Sequence, residues 1–162
     1  MTHPPVGELL ADARARLGDA PRERIGELQE GRRLLGIPRA ARIVARGTAW
    51  HLGVLLLTDD DVLATGDIVR SRTEVRRGFA AESQRRRAEL AAAAARGGVP
   101  EGDTVHIGWQ VVDTVSLGPR SHPLAVRDGQ AQVRWSAAGG YLPLARYLDE
   151  RIELLRHPPE RA

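Results

Sequence analysis

The chain has 162 residues with a formal net charge of +3, and its 42% apolar and 28% charged residues fit one well-packed globular domain. It contains no cysteine, which removes disulfides, thiolate nucleophiles, iron–sulfur clusters and cysteine-based zinc sites. No segment approaches the roughly 20 continuous apolar residues of a membrane span, and the opening MTHPPVGELL lacks a basic start followed by an apolar run, so a cytoplasmic address with no membrane partner is expected.

In chain order, Leu9, Leu10, Ala13 and Leu17 fall at helical spacing ahead of Gly18 and predict an N-terminal helix. Pro21 opens a second helical stretch in which Ile25 and Leu28 share a face, making residues 1–37 a helical N-terminal region ahead of an α+β core at 38–162. Residues 42–57 (RIVARGTAWHLGVLLL) and 62–70 (VLATGDIVR) flank the acidic TDDD and read as a hairpin. With its loop at Asp59–Asp61, Leu56 stands opposite Ala64, Val54 opposite Gly66 and Leu52 opposite Ile68, and Trp50, Leu52, Val54 and Leu56 share a buried face.

A helix is expected over 80–96, packing through Ala88, Ala91, Ala92 and Ala95 and stopping at Gly97. In DTVHIGWQVVDTV, Val105, Ile107, Trp109 and Val111 alternate with His106, Gly108 and Gln110. Asp128–Gly129 is a two-residue hairpin turn, with Val133 and Trp135 on the apolar face beyond it. Leu144, Leu148, Ile152 and Leu155 form the stripe of a final helix bounded by Pro143 and Pro158. The expectation is a single α+β domain: a mainly antiparallel sheet of about five strands with N-terminal, central and C-terminal helices.

RGTAWHLGVLLLTDD and VRWSAAGGY resemble segments of small proteins of high-GC bacteria, some of which carry a glutaminase label. All 24 basic residues are arginine, and lysine and asparagine are absent, which fits such a coding bias. The label implies a serine–lysine pair or a cysteine, and this chain has neither lysine nor cysteine. WHLGVLLLTDDDVLATG is similar to the strand–turn–strand of pleckstrin-homology and GRAM-type domains, which also end in a helix; that resemblance implies ligand or partner binding without catalysis.

Ser71, Ser83, Ser116, Ser121 and Ser136 lie in no glycine-flanked nucleophile elbow. His3, His51, His106, His122 and His157 show no ligand spacing, and TDDD reads as a solvated turn, so no metal and no cofactor are expected. Strand alternation places His51, Asp67, His106 and Gln110 on one face, and the hairpin register makes His51 and Asp67 diagonal neighbours, an imidazole oriented by a carboxylate for general-base work. The competing reading is that these histidines are hydrogen-bonded parts of the framework. Trp50, Trp109 and Trp135 are expected in the core. Gly139 and Gly140 in SAAGGY offer amides to an anion at the N-terminus of the final helix.

The stretch from Arg70 to Arg87, RSRTEVRRGFAAESQRRR, carries seven arginines and two glutamates. In its helical part Glu82 stands four before Arg86 and Arg85 four before Glu89, so those charges are expected to be answered locally. Arg70, Arg72, Arg76 and Arg77 then remain around Glu74 as the place for an anion.

The leading functional expectation is a non-enzymatic binding protein for a small ligand or a partner protein, as a homodimer. The first alternative is a small hydrolase using His51 with Asp67 or His106. The second is an anion or nucleic-acid binder through Arg70, Arg72, Arg76 and Arg77. Nucleic acid ranks behind small anions because 24 cations face 21 anions along the chain.

Overall fold

The computed structural model describes residues 2–73, 78 and 81–160, Leu34 in its backbone only. The chain begins with α1 (Val6–Leu17), β1 (Glu23–Gln29), β2 (Arg33–Leu34), β3 (Ile37–Pro38) and β4 (Arg42–Leu52). It continues through β5 (Leu55–Leu57), β6 (Val62–Ala64), β7 (Asp67–Arg70) and α2 (Glu82–Arg96) to β8 (Thr104–Ile107) and β9 (Gln110–Val111). It closes with β10 (Leu124–Arg127), β11 (Gln130–Arg134), β12 (Tyr141–Pro143) and α3 (Leu144–Arg156). The three helices occupy the expected N-terminal, central and C-terminal places. The main sheet, however, has seven strands in the order β7-β8-β1-β4-β5-β6-β9, and β1 pairs with β8 in parallel, so it is mixed and larger than expected.

Residues gather into two compact units, one comprising 1–22, 49–65 and 110–162 and the other 23–48 and 66–109. In the first unit, Val6, Leu10, Ala13 and Leu17 of α1 pack in one core with Leu144, Tyr147, Leu148 and Ile152 of α3, beside Trp50, Leu52, Leu55, Leu57 and Val62. Arg156 of α3 donates to the carbonyls of Leu17 at 3.0 Å and Arg16 at 3.2 Å, giving partners and a cation to the carbonyl end of α1. The Trp50 indole is buried and donates to the Ala20 carbonyl at 3.1 Å, and the Arg22 guanidinium lies 3.7 Å above its ring.

The stretch 42–57 does not run as one strand. Gly53 takes φ +66 and turns the chain, so β4 folds back on β5 with Trp50 opposite Leu57 and His51 opposite Leu56. Tyr147 spans this turn: its hydroxyl donates to the Leu52 carbonyl at 2.8 Å and accepts from the Val54 N–H at 2.8 Å. The hairpin across TDDD is β5 with β6, one residue out of the expected register, with Leu56 opposite Leu63. Within TDDD, the Asp61 amide bonds the Thr58 hydroxyl at 2.8 Å, the solvated turn that was expected.

In the β10–β11 hairpin, Asp128 (φ +51) and Gly129 (φ +74) form the expected two-residue turn. Val133 is buried, but β11 ends at Arg134 and Trp135 is 50% exposed, outside the core. β12 lies between Gly140 and the start of α3, so Gly139 and Gly140 do not open that helix.

In the second unit, Ile43, Val69, Leu90, Ala93, Ala94, Val99, Val105 and Ile107 form the core. Residues 23–29, read as helix, are a strand, because pairing with β8 overrides a local preference set by Glu, Leu and Gln. Residues 33–38 are likewise a hairpin and not helix. The packing face of α2 is turned from the expected one: Leu90, Ala92, Ala93 and Ala94 are buried, whereas Ala88, Ala91 and Ala95 are half-buried. No helix among the described residues is long and apolar enough to cross a membrane.

Candidate functional site

The second unit carries a groove of about 1120 Å³ between β7 and the N-terminal half of α2. β7 is the last strand of its sheet and pairs with β8 alone among the described residues, Val69 opposite Val105 and Arg70 opposite Thr104. Beyond β7 the backbone is pinned on both sides. The Ser71 amide donates to the Asp103 carbonyl at 2.8 Å and its buried hydroxyl to the Val99 carbonyl at 2.8 Å. The Arg72 amide then reaches the Ala91 carbonyl of α2 at 3.1 Å. These bonds hold Arg70 and Arg72 on a rigid frame rather than on a free loop.

The lining has two characters. Val69, Ala88, Leu90 and Ala91 supply an apolar floor, with Ile68, 54% exposed, at its margin. Arg70 and Arg72 from one wall and Arg86 and Arg87 from the other supply four guanidinium groups, all exposed. Asp67 and Glu101 are the carboxylates of the lining, and Glu101 is engaged by Thr73, whose amide and hydroxyl donate to it at 2.7 and 3.1 Å.

The expected bridges Glu82–Arg86 and Arg85–Glu89 do not form among the described residues, nor does any ion pair of Arg70, Arg72 or Arg87. Ser83 and Gln84 border the groove at the first turn of α2, whose N-cap Ala81 gives no side-chain hydrogen bond to the helix amides. Guanidinium groups with no ion pair among the described residues, two of them in the second turn of a helix, make this surface attractive to an anion.

Of the sequence-derived anion residues, Arg70 and Arg72 line the groove, and Arg76 and Arg77 lie outside the described residues. Arg86, Arg87, Ser83 and Gln84 were missed because the helix was read as solvent-facing on that side. The signal was present in the spacing: Gln84, Ala88 and Ala91 recur on one helical face, with small residues leaving room beside long cations.

His51 is in the first unit and donates from Nε2 to the Gly53 carbonyl at 3.0 Å. In the second unit the His106 side chain has no exposed surface, and its Nε2 donates to Glu23 at 2.8 Å. Asp67 stands opposite Ile107 at the start of β7. The long hairpin that would have made His51 and Asp67 diagonal neighbours is not formed, since its strands break at Gly53 and between Ala64 and Asp67. Gln110 is exposed on β9 of the first unit and borders a second groove of about 670 Å³ with Val112, Asp113 and residues 116–123. There, backbone N–H groups of Val115 and then Ser116 hold the Asp113 carboxyl below its ordinary value.

No protein family, curated protein or solved structure matches this chain.

Proposed function

We propose that this protein is a non-catalytic binding module whose ligand is a small amphiphilic anion, a carboxylate or phosphate ester with an apolar body. It is held between β7 and α2. The observation that carries this reading is the coincidence in one groove of an apolar floor (Val69, Leu90, Ala91) with Arg70, Arg72, Arg86 and Arg87. A guanidinium recognises carboxylate and phosphate oxygens through a planar fork, and the floor removes an alkyl or aryl portion from water. Among the described lining residues no histidine or cysteine stands beside a hydroxyl, the combination that nucleophilic chemistry needs.

The test is a thermal-shift series with octyl phosphate, octanoate, octanol and octylamine. Stabilisation by the two anions, with little from the neutral or cationic chains, is the expected outcome. Equal stabilisation by octylamine, or none by octyl phosphate, removes the proposal.

A further inference from the structure

Away from that groove, the β2–β3 hairpin is a two-stranded sheet of its own, with Arg33 opposite Pro38 and Leu34 opposite Ile37. From residue 31 to residue 40 every side chain described is exposed. At its base Gly31 lies so close to the Arg39 carbonyl that a Cβ would overlap it, so the two arms meet in tight backbone contact. The tip is a two-residue turn in which Leu35 takes φ +54 and Gly36 φ +80.

Leu35 is in the wrong place for folding. A turn with positive φ at both central residues favours Asn, Asp or Gly first, and a leucine there is strained by its Cβ. It has no compensating burial, being 96% exposed, and its neighbour Ile37 is 68% exposed. A strained backbone position holding a large apolar side chain in water points to a role in contact with something else.

The charge around the tip says what that something is. Residues 31–42, GRRLLGIPRAAR, hold four arginines (Arg32, Arg33, Arg39 and Arg42) and no acid. Among the described residues none of the four makes an ion pair or a side-chain hydrogen bond. The stretch has no aromatic side chain to stack on a base, and the exposed aliphatic side chains of Leu35 and Ile37 gain nothing from a phosphate backbone. Aliphatic tip and guanidinium collar suit a lipid interface, where Leu35 and Ile37 enter the acyl boundary and the arginines meet anionic headgroups. We propose that the β2–β3 hairpin docks this protein peripherally on anionic phospholipid membranes. The expectation of no membrane partner rested on the lack of a spanning segment, and a peripheral arm needs none.

The experiment is co-sedimentation of the full-length protein with phosphatidylcholine vesicles, with and without phosphatidylserine, at low and high salt. Three proteins are compared: wild type, Leu35→Asn, and a variant with Arg32, Arg33 and Arg39 changed to Gln. Asparagine suits the left-handed turn, so Leu35→Asn is expected to fold with an undiminished Tm. Wild type is expected to bind the phosphatidylserine vesicles, more weakly at high salt. Each variant is expected to lose binding by about tenfold or more, from the lost leucine transfer in one and the lost headgroup attraction in the other. Four results overturn the proposal: no wild-type binding to phosphatidylserine vesicles at low salt; undiminished binding by folded Leu35→Asn; binding to duplex DNA without binding to vesicles; or Leu35-dependent dimers by light scattering without vesicle binding.

Discussion

The Tyr147 hydroxyl occupies the space where Gly53 would carry a Cβ. From there it joins the Leu52 carbonyl to the Val54 amide, so one side chain of α3 closes the turn between β4 and β5. Tyr147→Phe leaves a buried carbonyl and an amide without that partner and is expected to destabilise by about 1–3 kcal/mol in chemical denaturation. Gly53→Ala is expected to cost more, since it adds left-handed strain to the overlap with the hydroxyl. Because removing the hydroxyl relieves that overlap, the double variant is expected to lose less than the sum of the two single losses. Strict additivity would mean that the two residues do not meet.

That turn also shows where the sequence was hard to read. RIVARGTAWHLGVLLL and VLATGDIVR have the composition of two long strands, and each is broken at or beside a glycine. Gly53 turns the chain at φ +66, and Gly66 lies against the Ile107 carbonyl and Gly108, too close for any Cβ. An isolated glycine inside a strand pattern was the available warning. Apolar periodicity located α1, α2 and α3, and the Asp-Gly turn located the β10–β11 hairpin, since both signals are local. The parallel pairing of β1 with β8 depends on residues some 80 positions apart, as Ile25 and His106 show, and no local pattern announces it. For the groove, the same limit applied: Arg70 and Arg72 were legible as cations without evident partners, but their convergence with Arg86 and Arg87 is a tertiary fact.

At the β10–β11 turn, Gly129 has φ +74 and open space around its missing Cβ. Gly129→Ala therefore isolates backbone strain, expected to cost roughly 1–2 kcal/mol. Asp128→Asn keeps a side chain that tolerates the left-handed region and is expected to leave the denaturation midpoint nearly unchanged. Urea titrations of the two variants check this; a neutral Gly129→Ala would mean that the turn adopts another geometry.

In the TDDD turn, the hydrogen bond from Arg22, and then its charge, hold the Asp59 carboxyl below its ordinary value. A folded pKa below the unfolded one means that the contribution is present above the unfolded value and is lost as pH falls through the folded one. Arg22→Gln should therefore lower Tm at neutral pH, and the gap to wild type should narrow as pH drops below about 4. A gap independent of pH across that window would assign the whole role of Arg22 to its stacking on Trp50.

The most direct test of the groove is calorimetric titration of octyl phosphate into wild type and into the double variant Arg72→Gln, Arg86→Gln, which removes one guanidinium from each wall. Loss of two charge-assisted contacts is expected to raise Kd by about tenfold or more while the fold, read by Tm, is kept. An unchanged Kd in the folded double variant, or no measurable heat with wild type, would contradict anion binding between β7 and α2.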